Sequence, residues 1–182
     1  MSKVDRRILK TQEAVRKAVI ELMSEKNFDD ITIQDIADKA NVSRGTIYLH
    51  YVDKYDLLDK LIESHINQLR VLCEAGAELE FIEATQIWTE YFAENHTFFS
   101  LMLTSKGAPY FRTRFTDYLI EEVRKEVNVT KGKNEGFDQD VIVQFIASAL
   151  VGVVEWWFTN ESPIPHQALA EQMGRLLERN LS

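Results

Sequence analysis

Cysteine occurs once in these 182 residues, at Cys73, so no disulfide can close within the chain and a reducing, cytoplasmic setting suits it. The four histidines, His50, His65, His96 and His166, stand without metal-ligand spacing, and Cys73 has no CxxC partner. A zinc site or a catalytic triad is therefore not expected. Seven glycines include neither a GxGxxG nor a phosphate-loop pattern. Acidic pairs such as Glu121-Glu122 and Asp138/Asp140 read as solvated helix surface or cap chemistry. No catalytic residue, metal or cofactor is implied, and an enzyme is not the expectation. The N-terminal stretch MSKVDRRILKTQEAVRKAVIELM is charged throughout and lacks an apolar signal segment, which argues against secretion.

Strand-like alternation is missing as well, and breakers gather at 105–109, 130–136 and 160–165. Between them the apolar residues recur at helical intervals. The reading is an all-α chain of about nine helices. Ile8, Val15, Ala18, Val19, Leu22 and Met23 form one stripe of a first helix over 6–26. Asp53 can cap a helix over 54–73, and later helices fall at 79–94, 97–104, 109–127, 138–159 and 165–181. No Gly or Pro occurs between Gly45 and Gly76, so the chain has no break where a module over 1–55 meets a larger one over 56–182. A helix spanning that boundary would make the angle of the first module depend on the packing of the second.

Residues 31–58, ITIQDIADKANVSRGTIYLHYVDKYDLL, hold two short helical patterns joined by a tight turn and followed by a third helix start. Thr32 can cap a helix with Asp35 at its third position, as in a capping box, although Asp reaches back less well than Glu or Gln. Ile33, Ile36, Ala37 and Ala40 make its apolar face. Asn41 tolerates the left-handed backbone that a sharp turn needs. Ser43 is a second N-cap, opening a helix of about six residues anchored by Ile47 and too short to stand alone. This leaves Arg44, Gly45, Thr46, Tyr48, Leu49 and His50 free to face something else, and such a layout exists mainly to place a helix in a DNA major groove.

The stretch resembles the TetR/AcrR family of transcriptional regulators through Thr32, Ile36-Ala37, Ala40, Val42-Ser43, Gly45-Thr46, Tyr48, His50-Tyr51, Lys54 and Leu57-Leu58. The resemblance covers about the first third of the chain, and Asn41 stands where the family often has Gly. It implies that Tyr48 and Lys54 hold phosphates while Gln34, Arg44, Thr46, Leu49 and His50 lie near base edges, with Ser43 and Gly45 in the same face. The chemistry agrees: Arg pairs bidentately with guanine and Gln with adenine, Leu or a Thr methyl packs on thymine, and Tyr or Lys on phosphate fixes register only.

Charge separates the two modules. Residues 1–60 carry 11 Lys and Arg against 11 Asp and Glu, whereas residues 61–182 carry 10 against 18, so the whole excess of −8 lies outside the motif. Lys3, Arg6, Arg7, Lys10, Arg44 and Lys54 can still make a local basic patch, with Lys3 to Lys10 either a DNA-contacting arm or a solvated helix start. Modest charge predicts modest non-specific affinity, and specific binding that leans on dimer symmetry and base readout.

Residues 141–158, VIVQFIASALVGVVEWWF, are apolar on nearly every side, as a membrane span or a helix buried on two faces would be. The length is at the lower limit for a span and Glu155 falls inside it, which favours a helix facing its own core and a second subunit, with no membrane partner. Ser148, Ala149 and Gly152 are small enough to admit a partner helix. The last helix adds Leu169, Met173, Leu176 and Leu177. Two such helices from each of two subunits would form the four-helix interface that the family resemblance implies, and a two-fold homodimer requires a palindromic double-stranded DNA site. Trp88, Tyr91, Phe92, Met102 and Phe115 are expected walls of the small-effector pocket that the resemblance implies, against the plain alternative that aromatics at helical spacing are core. An apolar or aromatic effector would suit them. The leading expectation is a homodimeric repressor released by such an effector; the alternative is a co-activator or adaptor that uses the same fold to recruit a protein.

Overall fold

The computed structural model describes residues 3–104 and 109–181, with side chains from residue 6 onward and excepting 109 and 110. Among the described residues there are nine α-helices, two short 3-10 turns and no strand: α1 (Lys3–Glu25), α2 (Ile33–Ala40), α3 (Arg44–Tyr48), α4 (Lys54–Ala75), α5 (Phe81–Glu94), α6 (His96–Thr104), α7 (Pro109–Glu126), α8 (Gln139–Thr159) and α9 (His166–Leu181). The breaker cluster at 105–108 lies outside the described residues. The chain divides into two compact units, 1–65 and 66–182, and the dividing point falls inside α4.

In the first unit α1 braces α2. Val15, Ala18, Val19, Leu22 and Met23 are buried, whereas Ile8 and Leu9 near the start of the helix are exposed, so the apolar stripe begins at Val15. Ile36 and Ile47, each 0 % exposed, anchor α2 and α3 in this core. A five-residue helix makes too few internal bonds to persist alone, and α3 owes its shape to that anchor.

In the second unit α5 packs along α9, and α7 and α6 pack on α8. Gly174 allows the first of these contacts, because a Cβ there would come within 2.6 Å of Ile82 Cα. Leu169, Ala170 and Met173 complete that buried face of α9. Leu169 and Met173, expected at a subunit interface, thus lie in the protein's own core at 2 % exposure each. The buried face of α9 packs on α5, whereas Leu176 of the same expected stripe is exposed and Leu177 packs beside Val123, Val127, Val143 and Ile146. Phe92 sits at the centre of the aromatic core, with ring centroids 4.6 Å from Phe99, 6.0 Å from Phe115 and 6.0 Å from Phe158.

α8 has two apolar faces. Val143, Ile146, Ala147, Val151, Val154, Trp157 and Phe158 are buried, and Glu155 accepts from Arg112 Nε on α7. On the other side Val141, Phe145, Ser148, Ala149, Gly152 and Trp156 are exposed, spaced to form a single helical stripe. By length and composition α8 is apolar enough to cross a membrane. Its seven core residues show what it packs on in this fold.

Candidate nucleic-acid interface and effector cavity

The pair α2–α3 carries a side-chain cap at the start of each helix. Thr32 Oγ1 accepts from Asp35 N at 3.1 Å while Asp35 Oδ2 accepts from Thr32 N at 2.8 Å, a complete capping box despite the shorter Asp. Lys26 Nζ adds a 2.9 Å bond to the same carboxylate. These contacts, with Lys26 the largest, hold the Asp35 carboxyl at about 2, well below its ordinary value. Asn41 takes the left-handed conformation at φ 52 and ψ 49, turning the chain so that Ser43 Oγ can accept from Thr46 N at 3.1 Å.

The face presented by this pair carries Gln34, Ser43, Arg44, Gly45, Tyr48 and Leu49 exposed, with Thr46 and His50 half-buried. Leu49 is 79 % exposed and Tyr48 50 %. Gln34 Nε2 donates to Asp38 at 2.7 Å, and the Ser43 and Thr46 hydroxyls pair at 2.8 Å. A Cβ at Gly45 would meet only Ser43 Oγ, at 3.6 Å, so nothing inside the protein demands glycine there.

Lys54 departs from expectation. Its ammonium donates to the carbonyls of Phe28 (3.0 Å), Asp29 (2.6 Å) and Ile31 (2.9 Å). An ammonium has three protons, and here all three are committed, so Lys54 does not offer a phosphate contact in this conformation.

In the second unit a cavity of about 230 Å³ opens among α4, α5, α7, α8 and α9. Of the expected wall residues, Trp88, Phe92 and Phe115 line it. Met102 is buried in the core and Tyr91 lies half-buried against Phe99, with ring centroids 5.9 Å apart; neither reaches the cavity. Leu69, Leu150, Val154 and Leu177 add apolar wall, and Cys73, Tyr118, Glu122 and Lys125 add polar groups that sequence reasoning missed. Cys73 Sγ and Tyr118 Oη lie 2.9 Å apart, and burial pushes the pKa of both thiol and phenol upward, making each a weaker acid. Lys125 pairs with Glu122 at 2.8 Å, as Arg70 does with Glu121. Cys73 and Tyr118 are 45 residues apart on two helices, a separation that leaves no local spacing signal.

On the remaining candidate surface, Ser148, Ala149 and Gly152 lie on the exposed stripe of α8 and Leu176 of α9 is 53 % exposed. Among the described residues no group of His, Cys, Asp and Glu is arranged to hold a metal ion.

Comparison with known proteins adds a family profile described as the C-terminal region of transcriptional regulators, matching residues 80–179, and one described as bacterial regulatory proteins of the tetR family, matching residues 16–61. YxbF, an HTH-type transcriptional regulator of Bacillus subtilis strain 168, is 23 % identical over 175 residues, which cover 91 % of this chain and 44 % of YxbF; this chain thus spans less than half the length of that relative. A probable acrEF/envCD operon repressor of Escherichia coli K12 is 26 % identical, covering 84 % of this chain and 78 % of the repressor. The crystal structure of a TetR transcriptional regulator from Streptococcus agalactiae 2603V is 28 % identical with a TM-score of 0.72, covering 95 % of this chain and 96 % of the other.

Proposed function

The chain belongs to the TetR family of bacterial transcriptional regulators, and from that premise we propose that it is a cytoplasmic, homodimeric repressor that reads palindromic double-stranded DNA and is released by a small apolar or aromatic effector; it has no enzymatic role. The observation that carries this reading is the exposed face of α3, where Arg44, Tyr48 and Leu49 stand clear of the fold on a helix fixed from behind by Ile47. Arg44 suits a guanine edge, Leu49 and the Thr46 methyl suit thymine methyls, and the Tyr48 hydroxyl suits a phosphate. Gly45 supports the same reading, since an internally unneeded glycine at a helix start lets a DNA backbone come close.

The bare stripe of α8, with its small residues between Phe145 and Trp156, supports assembly with a second copy, and Leu176 extends it on α9. Two-fold symmetry then sets two reading helices about 34–36 Å apart, one turn of DNA. The cavity supports an effector smaller than the ligands of the roughly 300–1,000 Å³ pockets typical of drug-sized sites. Its effect on DNA binding requires different affinities for two arrangements of the protein. The repressor relative from Escherichia coli agrees with the direction of control.

Gel-shift titration with the promoter region neighbouring its own gene tests the proposal. Specific binding is expected and should be lost in Arg44→Ala and Tyr48→Ala, both at exposed positions. A native protein that shifts no specific DNA would sink it and favour an adaptor that recruits a protein. Light scattering tests the dimer separately: a monomer at micromolar concentration removes the reason for a palindrome.

A further inference from the structure

One helix grips the backbone on both sides of the reading pair. On the entry side, just before α2, the Lys54 ammonium closes on the carbonyls of Phe28, Asp29 and Ile31. The rings of Phe28 and Tyr55 complete its shell at 5.1 and 5.3 Å from the nitrogen, and lie edge to face with each other at 5.6 Å. Lys54 opens α4, where the helix dipole disfavours a cation, and folding its charge back onto three carbonyl dipoles avoids that conflict. Swinging it out to DNA would take the lysine donor from Asp29 O and Ile31 O, while Phe28 O would keep Ile31 N at 3.1 Å, and would open a gap between two aromatic rings.

On the exit side, just after α3, Lys60 Nζ donates to His50 O at 3.1 Å and to Asp56 Oδ2 at 2.9 Å, above the Tyr51 ring at 5.5 Å. Asp56 Oδ2 in turn accepts from Val52 N at 2.9 Å. The turn leaving α3 is thereby hung on α4, as the segment entering α2 is. Ile36 and Ile47 fix the middle of the pair, and the two lysines fix its ends.

We propose that Lys54 and Lys60 are positioning residues for DNA reading, clamping α2–α3 to α4 at both ends, and that Lys54 meets no DNA phosphate. The inference rests on the proposed DNA binding. Base recognition tolerates displacements of only about 0.5 Å, and a five-residue helix has no stiffness of its own with which to meet that demand.

The test measures binding of the native protein, Lys54→Met, Lys54→Arg and Lys60→Met to two duplexes, one from the promoter region neighbouring its own gene and one of random sequence. Salt is varied from about 50 to about 200 mM, and circular dichroism verifies folding. A clamp predicts that Lys54→Met loses about tenfold or more for the promoter duplex, keeps its random-sequence affinity, and keeps the native salt slope. Lys54→Arg should do no better, because a planar fork cannot aim three protons at convergent carbonyls. Lys60→Met should lower the promoter-to-random ratio in the same direction. The clamp is overturned if Lys54→Met weakens both duplexes alike with a slope smaller by about 0.9, if Lys54→Arg restores native affinity, or if the ratio is unchanged. Should Lys54→Met fail to fold, Lys60→Met decides by the ratio alone. A native protein that binds neither duplex overturns the DNA-reading proposal itself.

Discussion

Asn41 bends the chain between the two reading helices, and its left-handed backbone sets what can replace it. Asn41→Gly is expected to be nearly neutral, and Asn41→Val to cost about 1–2 kcal/mol in urea denaturation, since a β-branched side chain is strained there. His65 makes stability pH-dependent. Burial, and secondarily the Arg16 guanidinium, hold its pKa at about 4 against an ordinary 6.5. A base whose folded pKa is depressed gives its full stability above the unfolded value and loses it as the pH falls. Stability should therefore decline from pH 6.5 towards 4, where Asp35 takes over from its ordinary 3.8 down to about 2. Urea midpoints across this range should flatten in the upper window for His65→Gln; an unchanged slope would refute the assignment. The caps at Thr32 and Ser43 and the turn at Asn41 were legible in sequence because each acts on residues within a few positions of itself. Lys54 was not, because its carbonyl partners lie 23 to 26 residues back in the chain.

At the level of elements, periodicity located the helices but could not say which neighbour each face would meet. The stripe of Leu169 and Met173 looks the same whether it faces α5 or another subunit, and what decides is the close approach at Gly174, invisible until α5 is in place. Gly174→Ala should destabilise the fold by about 1–3 kcal/mol through its collision with Ile82. Gly152 supplies the contrast, because a Cβ there has nothing within 4 Å in the single chain. Gly152→Leu should thus leave the stability of an isolated subunit nearly unchanged while weakening assembly about tenfold or more, the weight of roughly 1.4 kcal/mol. Sedimentation over a concentration series reads this directly. Equal association in native and variant proteins would remove α8 from the interface.

For the whole molecule, the zero net charge of residues 1–60 and the −8 of the remainder leave little long-range attraction for DNA. Random-sequence affinity should be weak and its salt slope shallow, as the proposed dependence on symmetry and base contacts requires. The second unit was only partly legible: three of five expected wall residues line the cavity, and Tyr91 on α5 and Met102 on α6 do not, because large apolar side chains at helical spacing read alike in sequence whether they face core or lining. Trp88 makes the cavity observable. A small aromatic probe that enters should quench part of the tryptophan emission, and Trp88→Phe should remove that change while leaving the signals of Trp156 and Trp157.

Cys73 supplies a second reporter. It is the chain's only thiol and forms part of the cavity wall, so a thiol-reactive dye would attach nowhere else and its rate of labelling would register occupancy without background. The bond to Tyr118 and the raised thiol pKa make the empty protein a slow reactant. An occupant should slow it further, which allows unlabelled compounds to be ranked by protection with the natural sequence unaltered.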